Sequence, residues 1–586
     1  MGFELVSRFP PGSRRRTWAL VLLFLVLAFL FLAVNRGAYR GYFSDDDLEN
    51  LANAQMGQLR YYAVNLLSPL FDGENFRPTG HFVYYAMERL AQLNFPPYIA
   101  LIQGIHLINT LLIWLLIRRL GATVLAASSG ALFFAFELAV FDVYWKPMYV
   151  FDLLCGLFCL LAVLAYLHQR TVLAVLSFWL AYKAKEAAIM LPVVLAIYEY
   201  WFGSRRWRRL VPFFLISMTF GLQGLYANRS RDDAYTLRFS PAAIWQCIDF
   251  YSSRIFGVRG LGLALVTLPV FVRDKLFRFG FAGFCVLLLP MLLLPERLFG
   301  AYLYVPYIAL SIVAAALAMR VHPAFVALFF ALWLPWNQFA LQDYRQVTLA
   351  TDEDARTWAV AVGQFAAGHP DVRTYFYECQ PNDFDVWGML AVVRYHLSPG
   401  PPATLYSVDT PQAAHMAEAP TFALVRWDPG LHKVTILSRN AQSPDSSYIR
   451  MTEATPIWQL TEGWFPLKQY SRWIKPYASA RLWRPEQAIA FQVVVNIGRG
   501  YLKEVSQAEL VVRLDGKEIG RQTFSQPGWQ TARWGLPEGP ARPVQVEFRV
   551  TPEFRPNHDD NAIYGIAVGA FGFVTPSTDV EWPPKG

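Results

Sequence analysis

The sequence predicts a polytopic α-helical membrane protein followed by a soluble, β-rich region, and three observations predict it. Only 16% of the 586 residues are charged while 55% are hydrophobic, against about 25% charged residues in an ordinary soluble chain. Long apolar runs separated by short basic breaks fill the chain up to about Gln342, and such runs suit a hydrocarbon core about 30 Å thick. Beyond that point the pattern changes to short alternating stretches bounded by Gly and Pro, the signature of strands.

The basic clusters orient the runs. "SRRR" (Ser13 to Arg16), Arg118 with Arg119, "HQR" (His168 to Arg170), "SRRWRR" (Ser204 to Arg209) and "RDKLFR" (Arg273 to Arg278) all stand beside apolar runs, and basic residues mark the cytoplasmic side. The first run, Thr17 to Val34, is long for a secretion signal and lacks a small-x-small cleavage site, so it reads as an uncleaved anchor. It delivers residues 35–95 outside. The next runs return to Arg118, exit over Ala122 to Val140, and return over Tyr149 to Leu167. A short out-and-back pair, Val172 to Ala184 and Ala187 to Trp201, ends at "SRRWRR", and Leu210 to Tyr226 exits again. The remaining runs return near Val272, exit over Phe279 to Leu294, return over Ala301 to Met319 and exit over Phe325 to Leu341. The path has about eleven spans with every basic cluster on one side. It puts Asp45, Asp46, Asp47, Asp142, Lys146, Lys185, Glu186, Glu296 and Arg297 at the outer face, together with everything after residue 341.

Three domains follow: membrane-embedded residues 1–341, a small α/β unit over 342–450 and a β-sandwich over 451–586. Thr351 to Ala366 has a helical pattern, and "VRTYFYEC" and "TFALVRWD" read as strands. Further on, "AIAFQVVVNIG", "AELVVRLDGKEIGRQTF", "PVQVEFRVTP" and "IYGIAVGAFGFV" alternate as strands, with "DGKE" as a hairpin turn. The aromatic stretch Gly463 to Trp483 suits either packing or the binding of a glycan or acceptor.

The net charge of +8 lies in the membrane-flanking clusters and does not indicate nucleic acid. The five cysteines show neither metal spacing nor a disulfide framework. Cys155 and Cys159, one helical turn apart in an apolar run, read as packing residues.

Four stretches carry a family resemblance. "YFSDDDLENL" looks like an acidic motif in a first outer loop, and "FRPTGHFVYYAMERLAQLNFPPYIALIQGIHLINTLLIWLLIRRLGA" is similar to the amphipathic helix and second span that follow it. "LAYKAKEAAIMLPVVLAIYE" resembles a Ser-Lys-Glu segment with Ala184 in place of Ser, and "LPERLFGAYLYVPYIAL" resembles an Arg-Tyr-Leu-Tyr-x-Pro segment with an insertion after Arg297. Over about residues 15 to 320 the chain thus resembles the GT-C superfamily of integral membrane glycosyltransferases, in particular bacterial relatives of protein O-mannosyltransferases and the tetratricopeptide-bearing transmembrane O-mannosyltransferases. Where such relatives carry a His or Glu in the second outer loop, "FELAVFDVYWKPMYVFD" offers Asp142 and Asp152.

The resemblance implies a GT-C-like transmembrane domain in a bacterial-type inner membrane. It also implies a polyprenyl-phosphate-linked sugar as donor, membrane lipids around the spans, and transfer to a protein, lipid or glycan acceptor at the extracytoplasmic face. No cofactor is indicated; a divalent metal is compatible with the sequence but has no motif. Inverting transfer needs a carboxylate to take the acceptor's proton while the sugar passes through an oxocarbenium-like state. Asp46 is the first candidate, Asp45 and Asp47 its neighbours in register, and Asp142 a second acid. An Asp among like charges at a membrane edge is expected to have a raised pKa. The leaving phosphate needs cations, for which Arg297 offers a bidentate fork and Lys185 a point charge, with Glu186, Tyr302 and Tyr304 in the same segments. Arg77, His81, His106, Lys146 and Asp152 are candidates for the acceptor side or for support of the site. Each has a plainer reading: the triple Asp as a solvated helix start, Lys185 with Glu186 as an ion pair, Arg297 as a snorkelling residue, the histidines as structural, and Tyr302 and Tyr304 as interfacial aromatics. The rival classes are a transporter and a non-catalytic membrane receptor for glycans or lipids; a transporter places ionisable groups mid-span, whereas here they gather at one face.

Overall fold

The computed structural model describes residues 14–70, 77–228, 234–408, 421–440, 445–555 and 563–583. Ser13 of the first basic cluster and the side chains of Arg14 to Arg16 lie outside that description. The chain forms two compact units, Met1–Arg356 and Thr357–Gly586.

The first unit is helical. The opening apolar helix α1 (Arg14–Val34) is followed by α2 (Asp45–Met56), α3 (Leu59–Leu67) and α4 (Pro78–Ala91). The body continues with α5 (Pro96–Arg119), α6 (Val124–Ala135), α7 (Val150–Leu167), α8 (Thr171–Ala184), α9 (Leu191–Trp201) and α10 (Val211–Asn228). Then come α11 (Pro241–Ile255), α12 (Ala264–Phe271), α13 (Lys275–Leu288), α14 (Tyr304–Ala318), α15 (Pro323–Ala340) and α16 (Gln342–Gly368). Local chemistry fixes the ends. Thr123 accepts a hydrogen bond from the Ala126 amide at the start of α6, Asp274 does the same for Phe277 at α13, and Pro occupies the first turn of α5 and α15, the positions where caps and proline stabilise a helix.

Among the described residues, five helical segments are long and apolar enough to cross a membrane, and a sixth qualifies if α6 and the following turn Leu138–Tyr144, bent by 67°, form one span. The unit is a multi-pass membrane body. Helix stands at each of the eleven expected stretches, yet several are short among the described residues: α9 has 11 residues and α12 has 8, with Pro269 inside. The breaks come where the chain turns or where proline interrupts a helix. Lys185, for example, is extended between α8 and the 3-10 turn Glu186–Met190. The interior is formed by α5, α6, α7 and α14, where Gly130 lets α6 approach the α14 backbone; a Cβ there would lie 2.5 Å from the Ser311 carbonyl oxygen.

The second unit holds two sheets. β1 (Thr374–Glu378), α17 (Val386–Leu397), β2 (Thr404–Ser407), β3 (Thr421–Asp428) and β4 (Lys433–Asn440) form a four-stranded sheet of order β2-β1-β3-β4, in which β1 is parallel to both neighbours and β4 is antiparallel to β3. The larger sheet contains β5 (Tyr448–Arg450), β6 (Glu462–Lys468), β7 (Ser471–Arg484), β8 (Ala490–Ile497), β9 (Ala508–Leu514), β10 (Lys517–Phe524), β11 (Gly528–Gly535), β12 (Arg542–Thr551) and β13 (Ala567–Val574), with helix α18 (Arg499–Val505) after β8. Its order is β10-β9-β12-β7-β13-β8-β11, with β5 on β13 and β6 on β7. The turn between β9 and β10 falls at Asp515 and Gly516, both at positive φ, as a tight hairpin requires.

The nine strands of this sheet form one hydrogen-bonded network. The reason is the 14-residue β7, which pairs with β13 at Arg472 and Trp473 and with β12 from Tyr477 to Arg484. A core including Phe491, Val512, Phe548 and Phe571 is buried within it. Trp464 belongs to that packing, stacked 5.3 Å from Phe571 with its indole N–H donated to the Ser479 carbonyl at 2.7 Å. Trp473 likewise packs on Phe554. The two sheets lie in one unit, and buried Glu378 of β1 pairs with Arg472 of β7 at 2.7 Å.

Candidate active site

The acidic motif begins a helix, and its three aspartates have different surroundings. Ser44 is the N-cap of α2 and Asp47 completes a capping box with it. The Asp47 carboxylate accepts from the Ser44 amide at 2.9 Å, from the Ser44 hydroxyl at 2.8 Å and from the Tyr84 hydroxyl of α4 at 2.5 Å. It is fully buried. Burial pushes its pKa up to about 6 against the pull of these hydrogen bonds, and the neighbouring Asp46 charge adds only a minor push. The same burial, with Asp47 as neighbour, raises Tyr84 well above its ordinary value. The raised carboxyl pKa of this motif thus arises from burial rather than from crowding of like charges. Asp46, one residue earlier and rotated by about 100° on the helix, is exposed, with no hydrogen bond or ion pair among the described residues. Asp45 is half-buried.

Lys185 and Glu186 sit at the break between α8 and the turn before α9. The Lys185 ammonium is 2.7 and 2.6 Å from the two carboxylate oxygens of Asp152, in the first turn of α7, and both side chains are buried. The Arg77 guanidinium, at the N-terminus of α4, makes a two-pronged contact with Glu186 at 3.0 and 2.5 Å. Burial alone would raise Glu186, but Arg77 and Lys185 outweigh it and hold the carboxyl down at about 2. Glu186 is thus the ion-pair partner of Arg77. His81 of α4 stands edge-on to Phe151, 5.2 Å between ring centroids.

Arg297 lies between the last turn after α13 and the turn before α14. Its guanidinium is stacked between the rings of Tyr235 and Phe299, at 4.3 and 4.8 Å. Its Nε is buried without a hydrogen-bond partner, and among the described residues it makes no ion pair. Burial would lower its pKa, but Tyr302, Tyr235 and Asp46 together raise it. The Asp46 charge is the smallest of these influences. Tyr302 joins these groups, because the Lys185 ammonium also stands 4.8 Å over its ring and Arg77 feels its hydroxyl.

The structure brings Lys185 together with Asp152 and Tyr302, pairs the adjacent Glu186 with Arg77, and joins Arg297 to Tyr302 through the Phe299 ring. Two expected residues are elsewhere. Tyr304 is fully buried in the helical interior, its hydroxyl engaged by His106 Nδ1 and by the Asn109 amide, each at 3.0 Å. His106 turns its other nitrogen to the Ala135 carbonyl at 3.2 Å. Both are buried and satisfy each other within the helical interior. Asp142 and Lys146 pair with each other at 3.9 Å, and Asp142 also accepts from Tyr344 of α16 at 3.0 Å. Sequence reasoning missed Tyr84, Tyr235 and the α16 residues that reach this region. Among the described residues, no three His, Cys, Asp or Glu side chains converge as a metal site.

No family model matches the chain, and no curated protein sequence matches it. Solved structures do. The chain is similar to the crystal structure of ArnT from Cupriavidus metallidurans bound to undecaprenyl phosphate, with 14% identity, a TM-score of 0.45, and coverage of 72% of this chain and 98% of that one. Against the same protein in its apo state the values are 13% and 0.45, over 73% and 99% of the two chains. The cryo-EM structure of the arabinofuranosyltransferase AftD from Mycobacteria matches at 12% identity and a TM-score of 0.41, over 96% of this chain and 60% of AftD.

Proposed function

We propose that the chain is a membrane glycosyltransferase that moves a sugar from a polyprenyl-phosphate-linked donor to an acceptor at the extracytoplasmic face, with inversion. The observation that carries this reading is that the exposed Asp46 carboxylate and the Arg297 guanidinium, stacked between Tyr235 and Phe299 with its Nε unsatisfied, are both left without an ion pair among the described residues. Asp46 takes the proton of the acceptor hydroxyl as its oxygen attacks the anomeric carbon. The bond from that carbon to the phosphate oxygen breaks, and the phosphate leaves with the electron pair. Arg297 meets the growing phosphate charge with charge-assisted hydrogen bonds. The Lys185–Asp152 and Arg77–Glu186 pairs supply a rigid, nearly neutral wall below it.

Asp46 is favoured over Asp47 as the base because Asp47 is fully buried and its carboxylate already accepts from Ser44 and from Tyr84 of α4. The experiment is sugar transfer from a short-chain polyprenyl-phosphate donor by the purified full chain in sealed, oriented vesicles. Transfer with donor supplied on the extracytoplasmic side supports the reading. Turnover only from the cytoplasmic side, or none with any polyprenyl-phosphate sugar, overturns it.

A further inference from the structure

The segment leading into the acidic motif has no secondary structure of its own from residue 41 to 44, so its backbone groups need partners from elsewhere. The Gly41 and Ser44 amides find them nearby, at the Ala38 carbonyl and the Asp47 carboxylate, but others find them about 310 residues away. Asp352 of α16 accepts a hydrogen bond from the Tyr42 amide at 3.1 Å. Arg356, one helical turn further along the same face, donates to the Arg40 carbonyl at 3.0 Å and to the Gly41 carbonyl at 2.5 Å. Its guanidinium also stands 5.5 Å over the Tyr42 ring. Two side chains thus hold three consecutive residues of the loop. Glycine at position 41 makes this approach possible, since a Cβ there would lie 2.6 Å from the Asp352 carboxylate oxygen.

The opposite side of the segment is fixed by packing. Tyr42 and Phe43 are buried, with Phe43 edge-on to Phe95 and Tyr98 at 5.1 and 5.0 Å. The same helix reaches the second outer loop: Arg345 donates to Asn35 at 3.2 Å and covers Trp145, and Tyr344 donates to Asp142. Asp46 lies four residues beyond Tyr42, so any drift of this backbone moves its carboxylate.

We propose that Asp352 and Arg356 are positioning residues that clasp the Arg40 to Tyr42 backbone and thereby set where the Asp46 carboxylate stands. The proposal rests on the reading of Asp46 as the base. Asp352 touches no substrate; it acts through the loop. A misplacement of about 1 Å in a reacting group can cost about a hundredfold in rate. Releasing the clasp therefore lowers kcat by about ten- to a hundredfold while donor KM stays within about twofold, because Arg297 and the ion pairs are untouched. Asp352→Asn keeps an acceptor oxygen without its charge, and neutral hydrogen bonds are about half as strong as charged ones, so its loss is smaller than that of Asp352→Ala.

The test joins kinetics to hydrogen exchange on the full chain in lipid nanodiscs. Asp352→Ala and Arg356→Ala are each expected to raise amide exchange at residues 41–44 by about tenfold or more, the worth of a charge-assisted hydrogen bond, with the α5 and α7 amides unchanged. Exchange that stays at the wild-type level at residues 41–44 overturns the clasp, as does a rise in KM with kcat intact. If the wild-type chain transfers no sugar, the assignment of Asp46 as base fails. The exchange measurement, which needs no substrate, still decides whether Asp352 holds the loop.

Discussion

Substituting the two neighbouring aspartates separates catalysis from folding within the same helical turn. Asp47→Ala removes the acceptor of three hydrogen bonds in a fully buried site, stranding the Ser44 amide and the Tyr84 hydroxyl. Each buried donor left without a partner costs about 1–3 kcal/mol, so the start of α2 is destabilised by about 2–6 kcal/mol. Exchange of the α2 amides then rises, thermal stability falls, and activity is lost with them. Asp46→Asn changes an exposed, unpaired carboxylate to its isosteric amide, a surface change worth within about 0.5 kcal/mol. It keeps the fold and the α2 exchange pattern, yet removes the general base, which costs about 10²- to 10⁴-fold in turnover. The assay measures transfer from a polyprenyl-phosphate sugar beside thermal denaturation and hydrogen exchange of each variant. Wild-type turnover by Asp46→Asn would refute the assignment. So would an Asp47→Ala variant that is inactive while α2 keeps its full protection, because that result moves the base to Asp47.

Three further outcomes follow from the same cluster. Arg297→Ala is expected to weaken donor use about ten- to a hundredfold, the worth of a charged hydrogen bond, while Arg297→Lys recovers only part because an ammonium lacks the planar fork and the stack on Tyr235 and Phe299; an unchanged kcat/KM for donor removes the phosphate role. Lys185→Met alone leaves Asp152 buried and unpaired, a cost of about 3–5 kcal/mol, whereas Asp152→Asn with Lys185→Met recovers most of the stability. The double variant is expected to fold yet use donor at least tenfold less well, and full recovery of both would make the pair purely structural. The pKa of Asp47, raised by burial from the ordinary 3.8 to about 6, corresponds to about 3 kcal/mol. The native state holds this proton more tightly than the unfolded chain does, so its stabilisation is complete below about pH 4 and lost as the pH rises through 6. Hydrogen exchange of α2 between pH 4.5 and 7 checks this, and protection that grows with pH over that window contradicts it.

The membrane body was legible because apolar length and flanking charge are read along the chain, and helix does stand at each expected run. Span length was less legible, since it depends on where the chain breaks: the break at Lys185 and Glu186 shows in their charges, whereas α12, with Pro269 inside, is only 8 residues long in a run whose composition reads as continuous. In the second unit the alternating strands were visible, but their joining into one sheet turns on β7 pairing with β13 at one end and β12 at the other, a matter of register between distant strands. The site divides in the same way. Charges at one face could be collected from topology, whereas the separate fates of Asp46 and Asp47 depend on a helix phase set by Ser44. That signal was present, because a serine followed three residues later by an acid is a capping-box pattern. Tyr304 and Tyr302 could not be told apart, since two residues of spacing across a turn place one hydroxyl against His106 inside the body and the other among the cations. No local pattern marks Asp352 or Arg356. On α16 they read as an ordinary i, i+4 pair of surface charges, and only the return of the chain to Tyr42 makes the aspartate an acceptor for a loop that precedes it by about 310 residues.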